Sequence, residues 1–159
     1  MVKISIILLT KNGRTYLEGV LRGVFAQEIE EEFEVIAIDS GSTDRTRQIL
    51  AKFPILLKEI PPSAFNHGET RNLGAELSKG EYLVYLTQDA TPMDGKWLER
   101  LVHPLLEDRL VAGAFSSHRP RPGCHLMEKR QILETELVSG KAMRINTAIG
   151  NPEHERNRY

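Results

Sequence analysis

Apolar, β-branched runs alternate with helix-patterned segments through most of this 159-residue chain, and no other feature constrains its fold as strongly. Residues 3–10, 34–39, 55–60, 81–87 and 110–117 each read as a strand. Their apolar residues run on without a polar alternate, as in parallel strands covered on both faces. Between them, Leu17, Val20, Leu21, Val24 and Phe25 fall at helical spacing, which gives one apolar stripe. Ser42, Thr43 and Asp44 are suited to the start of a second helix running to about residue 53. A third is expected from near Asn66 to Gly80, since glycine is favoured just past a helix. Trp97, Leu98, Leu101, Val102, Leu105 and Leu106 mark a fourth, which Pro104 should bend or shorten. Leu126, Met127, Leu133 and Leu137 suggest one more. The order β-α-β-α-β-α-β-α-β predicts an α/β fold: a mostly parallel, Rossmann-like sheet flanked by helices. The strand at 81–87 reads as central.

The composition is that of an ordinary soluble domain. It is 40% hydrophobic and 27% charged, with a net charge of −1. No basic excess points to nucleic acid as a partner. The single cysteine, Cys124, excludes an intrachain disulfide and a cysteine-based zinc cluster. The apolar run at 4–9 is short, is interrupted by Ser5 and lacks a small-residue cleavage site, so it reads as a strand and not a signal peptide. No segment has the length of a membrane span. The expected location is cytoplasmic, with peripheral contact at the inner face of the membrane compatible with the sequence.

Three polar signatures carry the chemistry. They are EVIAIDSGSTDRT at 34–46, FNHGETRNLG at 65–74 and EYLVYLTQDA at 81–90. In an open α/β sheet, ligands bind beyond the carboxyl ends of the strands. Asp39 ends its strand, so its carboxylate is expected to point into that crevice toward a nucleobase or ribose. Gly41 permits a tight turn. Asp89 follows another strand, where one carboxylate can hold Mg²⁺ or Mn²⁺ together with phosphate oxygens. Arg71, near the start of a helix, suits a phosphate. His67 lies within reach of the same ligand. Each has a plainer reading on its own. Asp89 could cap the turn before Pro92, Arg71 could pair with Glu69 or Glu76, and His67 could be a solvated loop residue. Their combination favours a nucleotide-linked site. Gly68 and Gly74 read as structural, for a turn and for close helix packing. The chain has no P-loop, no Gly-x-Gly-x-x-Gly fingerprint and no Gly-x-Ser-x-Gly elbow.

Taken together, SIILLTKNG, EVIAIDSGSTDRT and FNHGETRNLGAELSKGEYLVYLTQDATP resemble a family 2 glycosyltransferase with the A-type fold, nearest to its rhamnosyltransferase-like members. The likeness is clear over residues 2–115 and looser to about 145. It implies inverting transfer of a sugar from a nucleotide diphosphate donor to a glycan or lipid-linked acceptor, and it tilts the donor toward dTDP-rhamnose. By this resemblance Thr10 and Asn12 border the nucleotide, Asp39 contacts the base, Arg71 lies near the donor diphosphate and Asp89 is the last acid of the metal motif. Ser40 and Thr87 stand where the family carries further acids.

An inverting transfer also needs a general base, which the family supplies well downstream of the metal site. Thr147, Ala148, Ile149 and Gly150 loosely resemble the strand before that region, and Glu153 and Glu155 are the carboxylates beyond it. Residues 1–117 are therefore expected to bind the nucleotide sugar. Residues 118–159 are expected to be an incomplete acceptor-side region whose tail is disordered. A homodimer would cover the apolar helix at 126–138. Two alternatives stay open: a nucleotide-sugar-binding chain without transfer activity, and a nucleotidyltransferase, for which LLTKNGRTYLEG makes a poor glycine-rich loop.

Overall fold

A computed structural model describes residues 1–134. The chain divides into two compact units, Met1–Arg100 and Leu101–Tyr159. The first holds a parallel sheet of four strands, β1 (Ile4–Thr10), β2 (Phe33–Asp39), β3 (Leu56–Glu59) and β4 (Tyr82–Thr87), in the order β3-β2-β1-β4. Its helices are α1 (Leu17–Phe25), α2 (Thr46–Leu50) and α3 (His67–Leu77), with a single 3₁₀ turn at Pro62–Ala64. Helix α4 (Trp97–Glu107) spans the division, and α5 (Leu126–Glu134) lies in the second unit.

β1 and β2 are central, and both faces of the sheet are covered there. On one face Leu8 and Ala37 form a buried cluster with Leu17 and Leu21 of α1 and with Ile49 and Leu50 of α2. Burying each large side chain of this kind stabilises the fold by about 1.5–3 kcal/mol relative to leaving it exposed. On the other face α3 comes so close that a Cβ on Gly74 would lie 2.4 Å from Cγ2 of Ile7. The packing role read for Gly74 holds. Gly74→Ala forces Ile7 aside in a fully buried strand, and overpacking of this kind costs about 1–3 kcal/mol. A urea-melt midpoint equal to wild type would contradict that contact.

Ser5, the polar residue inside the first apolar run, is completely buried. Its hydroxyl donates to Oε1 of Glu34 at 2.7 Å and accepts from the Gly80 N–H at 2.9 Å. Gly80 does not terminate a helix as expected. α3 ends at Leu77, capped at its start by the Asn66 side chain. Gly80 is required because a Cβ there would sit 2.5 Å from the Ser5 nitrogen.

Three further expectations need correction. Residues 110–117 form no strand, and Leu110 and Phe115 are exposed. Their apolar pattern resembles a strand, but a strand exists only where a neighbour completes its ladder. β4 is an edge strand among the described residues, not a central one, and Leu83 and Tyr85 are exposed on it. α2 is a single short helix of 5 residues, because the segment before it is folded into a side-chain-bonded turn. Of the two effects expected of Pro104, shortening does not occur: the residue lies inside α4, which continues to Glu107. The part of the expected helix after Glu134, the expected strand at 147–150, the carboxylates Glu153 and Glu155 and the tail all lie outside the described residues.

Candidate functional site

The carboxyl ends of β1, β2 and β4 lie side by side. The parallel register pairs Thr10 with Asp39 and Leu9 with Thr87. The loops that follow these strands therefore emerge together. A cavity of about 310 Å³ opens there, at the lower end of the range for small-ligand sites. Thr10, Lys11, Ser40, Thr87, Gln88 and Asp89 line it from the strand ends, and Phe65, His67 and Arg71 line it from the start of α3. Ile7, Leu9, Tyr85 and Leu86 supply apolar wall. A second depression, about 440 Å³, is lined by Arg14, Thr15, Glu18, Arg45, Ile49 and Lys52. It holds none of the residues expected to carry chemistry.

Of the expected site residues, the structure brings Thr10, His67, Arg71 and Asp89 around the first cavity. Asp89 is exposed in the turn closed by the Ala90 N–H on the Thr87 carbonyl. Among the described residues no hydrogen bond or ion pair engages its carboxylate, so it does not cap that turn. Arg71 makes no ion pair with Glu69 or Glu76. Its guanidinium donates to the His67 carbonyl at 2.9 Å, back along its own helix. The His67 ring meets Phe65 edge to face at 4.8 Å between centroids.

Asp39 is placed differently from the expectation. It is fully buried. Its carboxylate accepts from the Thr10 hydroxyl at 3.0 Å, from the Ser42 N–H at 2.8 Å and from the Ser42 hydroxyl at 2.5 Å. A carboxylate taken out of water must be hydrogen-bonded, and here its partners are two hydroxyls and one amide at the strand ends. It therefore faces the turn, not the crevice. That turn relies on Gly41, whose φ of 78° favours glycine and whose Cβ would strike Pro62 at 2.7 Å.

Asn12 stitches the loop after β1 to the loop after β2. It sits in the left-handed region, with φ 50°, which asparagine tolerates better than most residues. Its side-chain oxygen accepts from the Thr43 N–H at 2.9 Å. Thr43 is thus held by Asn12 and caps no helix. Four successive N–H groups of the β1 loop donate to side chains. Lys11 bonds Gln88 at 2.9 Å, Asn12 bonds Ser42 at 2.9 Å, Gly13 bonds Thr46 at 2.8 Å and Arg14 bonds Asp44 at 3.3 Å. The Thr46 hydroxyl, with the backbone N–H groups of Thr46 and Arg14, holds the Asp44 carboxyl below the usual carboxylate range. A lowered carboxyl pKa stabilises the fold above its unfolded value of about 3.9, and that contribution is lost as pH falls through the folded value.

The structural role of Gln88 is not apparent from the sequence. Its only mark in the sequence is its place directly before Asp89 in the TQDA run. Phe65 and Tyr85 also line the cavity; both lie inside the signature runs, but neither is polar or charged enough to stand out there.

A divalent cation fits this site in a limited way. No cluster of three potential His, Cys, Asp or Glu ligands occurs among the described residues. One unengaged carboxylate on a cavity rim suits Mg²⁺ or Mn²⁺ held jointly by protein and phosphate oxygens. It does not suit an ion caged by protein alone.

Comparison with known proteins agrees with the fold. The model of Glycosyl transferase family 2 matches residues 5–149. The O-antigen chain rhamnosyltransferase WbaN of Salmonella anatum is 33% identical over 121 residues, 76% of this chain and 38% of WbaN. The crystal structure of Staphylococcus aureus TarS 1–349 in complex with UDP-GlcNAc superposes with a TM-score of 0.57 at 27% identity, covering 68% of this chain and 32% of TarS 1–349. A mannosyltransferase from Pyrobaculum calidifontis, solved with GDP-Man and Mn²⁺, reaches a TM-score of 0.65 at 24% identity over 82% of this chain and 38% of its own. That last likeness speaks for the fold alone. The chain spans well under half the length of each of these proteins. Its sheet and flanking helices have the A-type glycosyltransferase architecture, and the chain belongs to glycosyl transferase family 2.

Proposed function

We propose that the cavity at the carboxyl edge of the sheet binds a nucleotide diphosphate sugar, as the donor half of an inverting glycosyltransferase. The carrying observation is that one cavity is lined by Asp89, whose carboxylate is unengaged among the described residues, and by Arg71, whose guanidinium makes no ion pair among them. Such a pair suits a diphosphate bound together with a divalent ion. Arg71 receives the phosphate oxygens and His67 borders them. Thr10 and Asn12 border the nucleoside, and Asp39 acts on it by fixing Thr10 and the turn at Ser42. Asp89 holds the cation, which when bound neutralises the departing diphosphate. The acceptor, a glycan or lipid-linked sugar, then approaches the anomeric carbon from the opposite face. The rhamnosyltransferase relative supports rhamnose as the transferred sugar, and dTDP-rhamnose is the donor we propose. No described helix is long and apolar enough to cross a membrane, and we place the work at the cytoplasmic side of one.

Arg71 offers the test. Arg71→Ala should weaken dTDP binding about tenfold or more, the scale of a charge-assisted contact to phosphate, and should change dTMP binding much less. Equal losses for both nucleotides, or none, would contradict the diphosphate assignment.

One observation favours a second reading, donor binding without transfer. Among the described residues Asp89 is the single carboxylate lining the cavity, and one carboxylate cannot both hold a cation and serve as the general base. Donor binding with neither transfer nor hydrolysis in the presence of rhamnosyl acceptors would select it. The nucleotidyltransferase reading loses ground. The N–H groups of the β1 loop, which would cradle a triphosphate, are already donated to Gln88, Ser42, Thr46 and Asp44.

A further inference from the structure

We propose that Gln88 is a positioning residue that clamps the β1 loop to the Asp89 turn, so that the nucleoside and cation sides of the cavity are held as one unit. The inference rests on the donor-site reading above and adds a residue to it.

The geometry is specific. The Gln88 amide meets the Lys11 backbone with both of its polar atoms. Its oxygen accepts from the Lys11 N–H at 2.9 Å and its nitrogen donates to the Lys11 carbonyl at 3.0 Å. A glutamine used this way continues the hydrogen bonding between the two chain segments just past the last β1–β4 pair, Leu9 with Thr87. Lys11 lies between Thr10 and Asn12, and Gln88 directly precedes Asp89. The clamp therefore joins the two halves of the site at the point where their strands end. A shorter side chain could not span this distance, and a carboxylate would set its oxygen against the Lys11 carbonyl.

Gly13 leaves room for the clamp. A Cβ at this position would lie 2.5 Å from Oε1 and 3.0 Å from Cδ of Gln88. Gly13 is not among the glycines with positive φ, so alanine strains no backbone there. The clash falls on the tip of a flexible side chain, which swings away and releases Lys11. Gly13→Ala should thus open the clamp without unfolding the protein, and Gln88→Ala should remove the reason why alanine is harmful at 13.

The two substitutions form a double-mutant cycle. It is read by dTDP titration with Mn²⁺ at a temperature where every variant is folded, and by amide exchange at Lys11 without any ligand. Gly13→Ala and Gln88→Ala should each weaken dTDP binding about tenfold, and the double variant should bind no worse than Gln88→Ala alone. Lys11 exchange should accelerate in all three. Gln88→Glu should fail to restore either readout. Additive losses in the cycle, or wild-type affinity in Gln88→Ala, would overturn the positioning role. Unchanged Lys11 exchange in Gln88→Ala would overturn the clamp itself. Absence of dTDP binding by the wild-type chain would instead sink the donor reading, and the positioning role with it, while the exchange measurement still judged the clamp.

Discussion

Replacing Asp89 by alanine is expected to abolish the gain in dTDP affinity that Mn²⁺ supplies. The carboxylate has no internal partner among the described residues, so its removal leaves nothing unsatisfied and should not disturb folding. What it removes is the protein's contribution to a shared cation. A cation of this kind would be held by the Asp89 carboxylate together with phosphate oxygens of the donor. Loss of that carboxylate should cost on the order of 100-fold in affinity, or about 2.7 kcal/mol. Binding measured in EDTA should stay where it was. A variant that keeps the Mn²⁺ enhancement would show that the ion is held elsewhere.

Asp39→Ala is expected to act through stability and only secondarily through binding. Three donors, the Thr10 hydroxyl and the hydroxyl and N–H of Ser42, converge on this buried carboxylate. Removing it orphans them at the junction of β1 and β2. Stranding buried donors costs about 1–3 kcal/mol for a single group, more when they face a charge. A total near 3 kcal/mol is a conservative expectation because the three losses are not additive. For a unit of this size that lowers Tm by roughly 12–24 °C. Asp39→Asn should lose less, since its amide oxygen still accepts from the Ser42 N–H and its nitrogen can donate to the Ser42 hydroxyl. Thermal melts of the two variants check this. An alanine variant as stable as wild type would mean that the Thr10–Asp39–Ser42 network carries no weight.

These two carboxylates show where the sequence was readable and where it was not. The β-branched runs at 3–10 and 34–39 could be recognised as strands because their burial is written in their composition. Asp89 could be picked out because it ends such a run. The orientation of Asp39 could not. It depends on the parallel register that sets Thr10 beside Asp39 and on a turn made possible by Gly41, and neither is a local property. The failed strand at 110–117 has the same origin. A run of apolar residues records a tendency to be covered, while a strand needs a partner that sequence patterning does not name. The rank of β4 within the sheet is likewise a question of neighbours. Gln88 was hidden for a related reason. Its partner, Lys11, is 77 residues away in sequence, and only the β1–β4 pairing brings the two together.

Family membership and fold stand on several independent agreements, whereas donor binding stands on one cavity and the few side chains turned into it. The most direct test is calorimetric titration of the folded chain with dTDP-rhamnose and with UDP-glucose, each with and without Mn²⁺. The account predicts Mn²⁺-dependent binding of at least one donor, with Asp89→Ala silent toward the metal. A folded sample that binds neither donor in Mn²⁺ would contradict it.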